Sequence, residues 1–215
     1  MATEQSSTLE RRPRWRRRAQ ARPEEILEAA LQEFTLKGFE AARLEDIAKR
    51  AGISKAAIYL YFTSKTALLE ALIQARIAPL AQKAEQIAFV GIADPVSAMR
   101  MIAHAVADRL GDPKVFAVPR LVIGLSGRFP EIADYYRKHT AERARAALQR
   151  LIEAAIETGS FRPVDPAAAA RAFIGPLFFE VMWTHVLHGE SGFGKPDKLI
   201  SDHFDILLNG LEQRA

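Results

Sequence analysis

The chain contains no cysteine, which excludes disulfides, thiolate metal sites and cysteine nucleophiles. No uninterrupted apolar run approaches the roughly 20 residues that a membrane-crossing helix needs. The first residues also lack the apolar core of a signal peptide, so a cytoplasmic protein with no membrane partner is expected. Strand-like alternation bounded by hairpin turns is missing, as is any internal repeat. His104, His139, His185, His188 and His203 do not form a metal signature, because even the i, i+3 pair His185 and His188 has no acidic or cysteine partner at a ligand spacing. No nucleophile with a base at workable spacing stands out either. No catalytic residue, no metal and no cofactor are therefore expected, and the protein is not read as an enzyme.

What is present is ordinary in amount and uneven in placement. The chain has 215 residues, 49% hydrophobic and 26% charged, enough for a small module plus one larger core. The net charge is +4, but residues 1 to 22 hold seven arginines (Arg11, Arg12, Arg14, Arg16, Arg17, Arg18 and Arg22) against Glu4 and Glu10, a net of +5. Everything after Arg22 sums to −1. From Pro23 to Phe62 the cations Lys37, Arg43, Lys49, Arg50 and Lys55 face seven acids, so bulk charge cannot be what brings this stretch to a polyanion. Residues 1–22 read as a disordered basic arm, with Trp15 in its midst. Such an arm can add phosphate or minor-groove contacts, or remain a solvated leader.

Downstream of the arm, Pro23 suits a first helical turn, and Ile26, Leu27, Ala30, Leu31 and Phe34 mark a buried stripe on a helix ending at Gly38. The stretch RLEDIAKRAGISKAAIYLYF, Arg43 to Phe62, then places Leu44, Ile47 and Ala48 on one face of a short helix and Ile58 and Phe62 on one face of another. Between them, Gly52 can adopt a positive φ, Ile53 can fill the angle, and Ser54 can cap the second helix. This is a helix-turn-helix. A short helix projecting from a compact support fits the DNA major groove.

Gly38-Phe39, Asp46-Ile47-Ala48, Ala51-Gly52-Ile53-Ser54, Ile58-Tyr59, Tyr61-Phe62, Ser64-Lys65 and Leu68-Leu69 resemble the N-terminal signature of the tetracycline-repressor (TetR) family of one-component bacterial regulators. The resemblance runs from Ile26 to Leu72. It implies that Tyr59, Tyr61 and Lys65 touch DNA, Lys65 on phosphate, and that Lys55, Ala56 and Ala57 belong to the face meeting base edges, with the capping Ser54 also among the DNA-binding residues. One of the two tyrosine rings is expected to pack the core while keeping its hydroxyl outward. The chain departs from the family where Ala42 and Arg43 replace the usual Thr or Ser, removing the hydroxyl cap; Arg43 can supply a charged contact instead. Ala56-Ala57 also replaces a common Gly-Thr, leaving methyl groups that donate nothing.

Beyond Ser64 a linking helix runs through Leu68, Leu69, Leu72, Ile73 and Ile77, with Pro79 expected to interrupt it. The boundary is placed near Arg76, giving 1–22 as the arm, 23–75 as the DNA-binding domain and 76–215 as a sensing and dimerisation domain. Proline and glycine divide the remainder into helices near 95–110, 113–127, 130–158, 166–188 and 196–213, so the class is all-α. The resemblance implies an apolar effector cavity, for which Met99, Phe116, Leu121, Leu125, Phe129, Tyr136, Phe179 and Trp183 are candidates, although each also suits an ordinary core. From Phe173 to Leu187 apolar residues cover nearly the whole helix circumference, more than one core contact requires. A homodimer through the last two helices is expected. The reading is a ligand-responsive regulator, most simply a repressor, that binds a palindromic double-stranded DNA operator and is released by an unidentified, largely apolar small molecule. The alternative is a constitutive nucleic-acid-binding helical protein without a ligand.

Overall fold

The structure is a computed structural model, and it describes residues 14–110, 112–190 and 196–211. Among these residues all regular structure is helical, as expected. The chain forms two compact units, 1–65 and 66–215. The division falls at the start of the linking helix, whereas the sequence reading puts it at that helix's end.

The first unit contains α1 (Arg14–Lys37), α2 (Leu44–Arg50) and α3 (Lys55–Tyr59). The α1 stripe of Ile26, Leu27, Ala30, Leu31 and Phe34 is buried, as the spacing predicts, together with Phe39, Ile47, Ala48 and Ile58. Phe34 and Phe39 meet with ring centroids 5.1 Å apart. Helix α1 begins upstream of the expected start, so Pro23 lies inside it. Arg, Ala and Gln in that stretch are all good helix formers, and Pro23 removes only its own i→i−4 bond. Residues 14–22 of the expected arm are thus helical; residues 1–13 lie outside the described residues. Gly38, at φ +78, ends α1 by donating its N–H to the Phe34 carbonyl (3.0 Å), a left-handed closure that a side chain would strain.

Lys65, the first residue of α4 (Lys65–Arg76), closes the first unit; the second unit holds the rest of α4, then α5 (Ala78–Val90), α6 (Pro95–Leu110), α7 (Pro113–Leu125), α8 (Pro130–Tyr136), α9 (Glu142–Glu157), α10 (Pro166–His185) and α11 (Pro196–Leu211). Pro79 sits in the first turn of α5, where its missing N–H costs little. A π-helical turn, Arg137–Ala141, separates α8 from α9 where one continuous helix was expected. Thr140 Oγ1 donates to the Tyr136 carbonyl there (2.5 Å), satisfying a group that the widened turn would leave open. The core gathers Ile87, Met99, Leu151, Ile152, Phe161, Phe173, Leu177, Ile200 and Phe204 from α5, α6, α9, α10, α11 and the α9–α10 connection. Arg143 of α9 grips Glu85 of α5 through both carboxylate oxygens (2.9 and 2.6 Å). Burial lowers the pKa of His203 in α11, and its Nε2 lies 2.9 Å from the Phe173 carbonyl of α10.

Candidate nucleic-acid interface

Helix α3 is set by the turn before it. Gly52 has φ +67; its N–H donates to Lys49 O (3.2 Å) while the Ile53 N–H donates to Ala48 O (3.0 Å). These paired bonds close the end of α2 in a Schellman motif, in which the glycine position is left-handed. Two residues later, Ser54 Oγ accepts from the Ala57 N–H (3.1 Å) and caps α3, satisfying a donor that the helix cannot. At the far end, the Phe62 N–H donates to Ile58 O (2.9 Å), so the helical path extends past Tyr59. The one fully buried residue of α3, Ile58, anchors it.

Everything else on α3 is presented outward or half-buried. Ser54, Lys55 and Ala56 are exposed and Ala57 is half-buried. Tyr59 is 46% exposed and Tyr61 39%, so neither ring packs the core, contrary to the expectation for one of them. Ile58 is the residue of α3 that packs inward. Leu60, at 84% exposed, also stands on this surface. It was not among the sequence candidates.

Charge on the face is mostly paired. Lys55 Nζ lies 2.7 Å from Glu45 Oε1, linking α3 to α2 and lowering the pKa of the Glu45 carboxyl. Arg50 lies 2.6 Å and Lys37 2.9 Å from oxygens of Glu33, whose side chain is buried in the three-helix packing. These two cations, Lys37 first, hold the Glu33 carboxyl below its ordinary range. Arg43 and Lys49 are exposed and make no ion pair with a described residue. Arg43 is the N-cap of α2 and contributes no side-chain cap, as the loss of the usual hydroxyl predicts. An open groove beside α3 is lined by residues 40–45 together with Tyr59 and Lys65. The Lys65 ammonium is turned inward, 2.6 Å from the Phe39 carbonyl and 2.7 Å from that of Glu40.

The eight apolar effector candidates do not occupy one environment. Met99 and Phe116 are buried, Met99 in the core cluster and Phe116 stacked on His185 at 5.4 Å. Leu121, Leu125, Phe129 and Tyr136 are half-buried on or beside α7 and α8. Phe179 is 61% and Trp183 40% exposed, their rings stacked at 6.2 Å on α10. Among the described residues no group of His, Cys, Asp or Glu is arranged to hold a metal ion, and no helix is long and apolar enough to cross a membrane.

A short capped helix held outward by a left-handed turn, on a three-helix support, is the construction of bacterial helix-turn-helix DNA-binding regulators. Residues 26–72 match the family model described as bacterial regulatory proteins, tetR family. Residues 97–198 match that of the C-terminal domain of AefR-like transcriptional repressors. The HTH-type transcriptional regulator RutR of Escherichia coli K12 is 30% identical over 160 residues, 70% of this chain and 69% of RutR. The uncharacterised HTH-type regulator YerO of Bacillus subtilis is 28% identical over 195 residues, which span 89% of this chain and 66% of YerO. The structure of the flavonoid-responsive regulator FrrA superposes with a TM-score of 0.63 at 26% identity, covering 91% of this chain and all of FrrA. The chain belongs to the TetR family of transcriptional regulators. Members of that family are non-enzymatic DNA-binding transcription factors that act as dimers.

Proposed function

We propose that this chain is a dimeric repressor that reads a palindromic operator in the bacterial cytoplasm and leaves it when a small, largely apolar effector binds. The observation that carries this reading is the outward face of α3 and the turn after it, with Tyr59 exposed on a helix fixed at both ends and Tyr61 exposed just beyond. Ser54, Lys55, Ala56 and Ala57 meet or approach base edges, the tyrosines add hydroxyls and ring faces, and Arg43 binds phosphate, with Lys49 joining it. Because Ala56 and Ala57 donate nothing, DNA shape supplies part of the selectivity.

The dimer is assigned to α10 and α11. Helix α10 buries Phe173, Leu177 and Val181 inward yet leaves Phe178, Phe179 and Trp183 exposed, and α11 leaves Ile206 exposed. Paired copies of these helices would cover that surface by a self-complementary contact. The effector is assigned to the half-buried apolar side chains on or beside α7 and α8, Leu121, Leu125, Phe129 and Tyr136, together with the buried Phe116 of α7. Phe179 and Trp183 are assigned to the dimer surface instead. The match to a repressor's C-terminal domain and the responsiveness of FrrA to flavonoids support a repressor with an aromatic or similarly apolar effector.

Selection of bound duplexes from a random pool at physiological salt tests this, followed by release of the winner with a panel of aromatic and apolar compounds. A two-fold symmetric consensus released by one compound class is the expected result. A second reading, a constitutive nucleic-acid binder, is favoured by the seven arginines of residues 1–22. It predicts no consensus, no release, and affinity that falls steeply with salt.

A further inference from the structure

Lys65 matches a family position expected on phosphate, yet its ammonium is occupied within the protein. Of its three protons, two lie toward the main-chain carbonyls of Phe39 (2.6 Å) and Glu40 (2.7 Å), and the ammonium sits 5.1 Å from the centre of the Phe39 ring. Charge-assisted bonds of this length are among the stronger ones a turn can receive. The residues they hold lie at the C-terminal, negative end of α1, where a cation is favoured. Phe39 is itself buried against Phe34, so the clamp runs from the first residue of α4 through the α1–α2 turn into the three-helix core. The turn is closed on its other side by the bond from the Ala42 N–H to Gly38 O (3.2 Å). One residue later comes Arg43. Tyr59 lines the same groove as Arg43 and Lys65.

We propose that Lys65 is a positioning residue: it holds the α1–α2 turn so that Arg43 on phosphate and Tyr59 on the base edges keep a fixed register, and it does not itself neutralise a phosphate. This rests on the reading of the α2–α3 face as the DNA interface. A compact ammonium can satisfy two adjacent carbonyls, whereas the planar fork of arginine suits phosphate better than this pair. Lys65→Arg and Lys65→Met therefore separate the roles. A phosphate contact tolerates arginine, and a clamp does not.

The test measures native protein, Lys65→Met and Lys65→Arg on the duplex that the native protein selects from a random pool, and on a scrambled duplex of equal length and composition, across a salt series. Positioning predicts that Lys65→Met loses about tenfold on the selected duplex and less than about twofold on the scrambled one. The salt slope stays unchanged, and Lys65→Arg fails to restore affinity. In the DNA-free protein, amide exchange at Ala42 should quicken about tenfold in Lys65→Met. Equal losses on both duplexes with a slope shallower by about 0.9, the value for one phosphate, would overturn the proposal, as would full rescue by arginine. A loss that vanishes after correction for unfolded protein would reduce Lys65 to a stability residue and equally overturn it. If the native protein selects no sequence, the DNA reading fails and the positioning role with it, while Ala42 exchange still reports whether the clamp exists.

Discussion

Helices α3 and α10 both carry exposed aromatic side chains, on them or just beyond, and they do so in different chemical form. Helix α3 and the turn after it offer Tyr59 and Tyr61, whose hydroxyls remain useful against a wet, hydrogen-bonding partner. Helix α10 offers Phe178, Phe179 and Trp183, which suit a surface from which water is expelled. The supports differ as well. Helix α3 is held by a glycine turn, a serine cap and one buried isoleucine, all local devices. Helix α10 is held by its place in a large apolar core. Exposure alone would rank these faces as similar; the polar atoms they carry fit the proposal that one meets nucleic acid and the other a second copy of the chain.

The largest expected effect is on the α10 face. Phe179→Asp should weaken self-association by about 3 kcal/mol, more than a hundredfold in dimer dissociation constant, as read by sedimentation equilibrium. An unchanged dimer would remove α10 from the interface. Next comes the support of α3. Glu33→Ala removes the buried carboxylate shared by Lys37 and Arg50 and should cost about 2 kcal/mol of unfolding free energy, since both cations can turn to water. Because the folded Glu33 pKa lies below its ordinary value of 4.5, the carboxyl's contribution is complete above about pH 4.5. It is lost as pH falls through the folded value. Urea titrations from pH 7 to 3 should therefore show native stability falling in acid, and Glu33→Gln should make that limb shallower.

Smaller effects sharpen the DNA face. Tyr59→Ala should weaken operator binding by about 1.5 kcal/mol with the fold intact; unchanged binding in a gel-shift titration would retire its contact role. Gly52→Ala meets no steric obstacle but must hold φ +67, so about 1 kcal/mol of thermal stability should be lost. Deleting residues 1–22 should lower affinity and flatten its salt dependence, and an unaltered slope would make the arginines bystanders.

Much of this architecture was legible because it is local. Gly52, Ser54 and the buried stripe of α1 speak through spacing and backbone chemistry, and the prolines at 130, 166 and 196 mark helix starts that the structure keeps. What was not legible depends on distance or on partners. Nothing in RKHTA announces a π-helical turn. The inward turn of Lys65 depends on carbonyls 25 and 26 residues away, and the pairing of Lys55 with Glu45 depends on the angle between two helices. The effector candidates share composition but not surroundings: Met99 lies in the core and Trp183 faces outward, because aromatic content says nothing about which face of a helix is covered.

Site-resolved amide exchange with and without a selected duplex, at fixed dimer concentration, tests the contrast between the two faces most directly. The account predicts new protection at residues 54–62 and at the start of α2, with residues 178–187 unchanged by DNA and protected only as protein concentration rises. Protection confined to residues 1–22, or DNA-induced protection on α10 with none on α3, would contradict it.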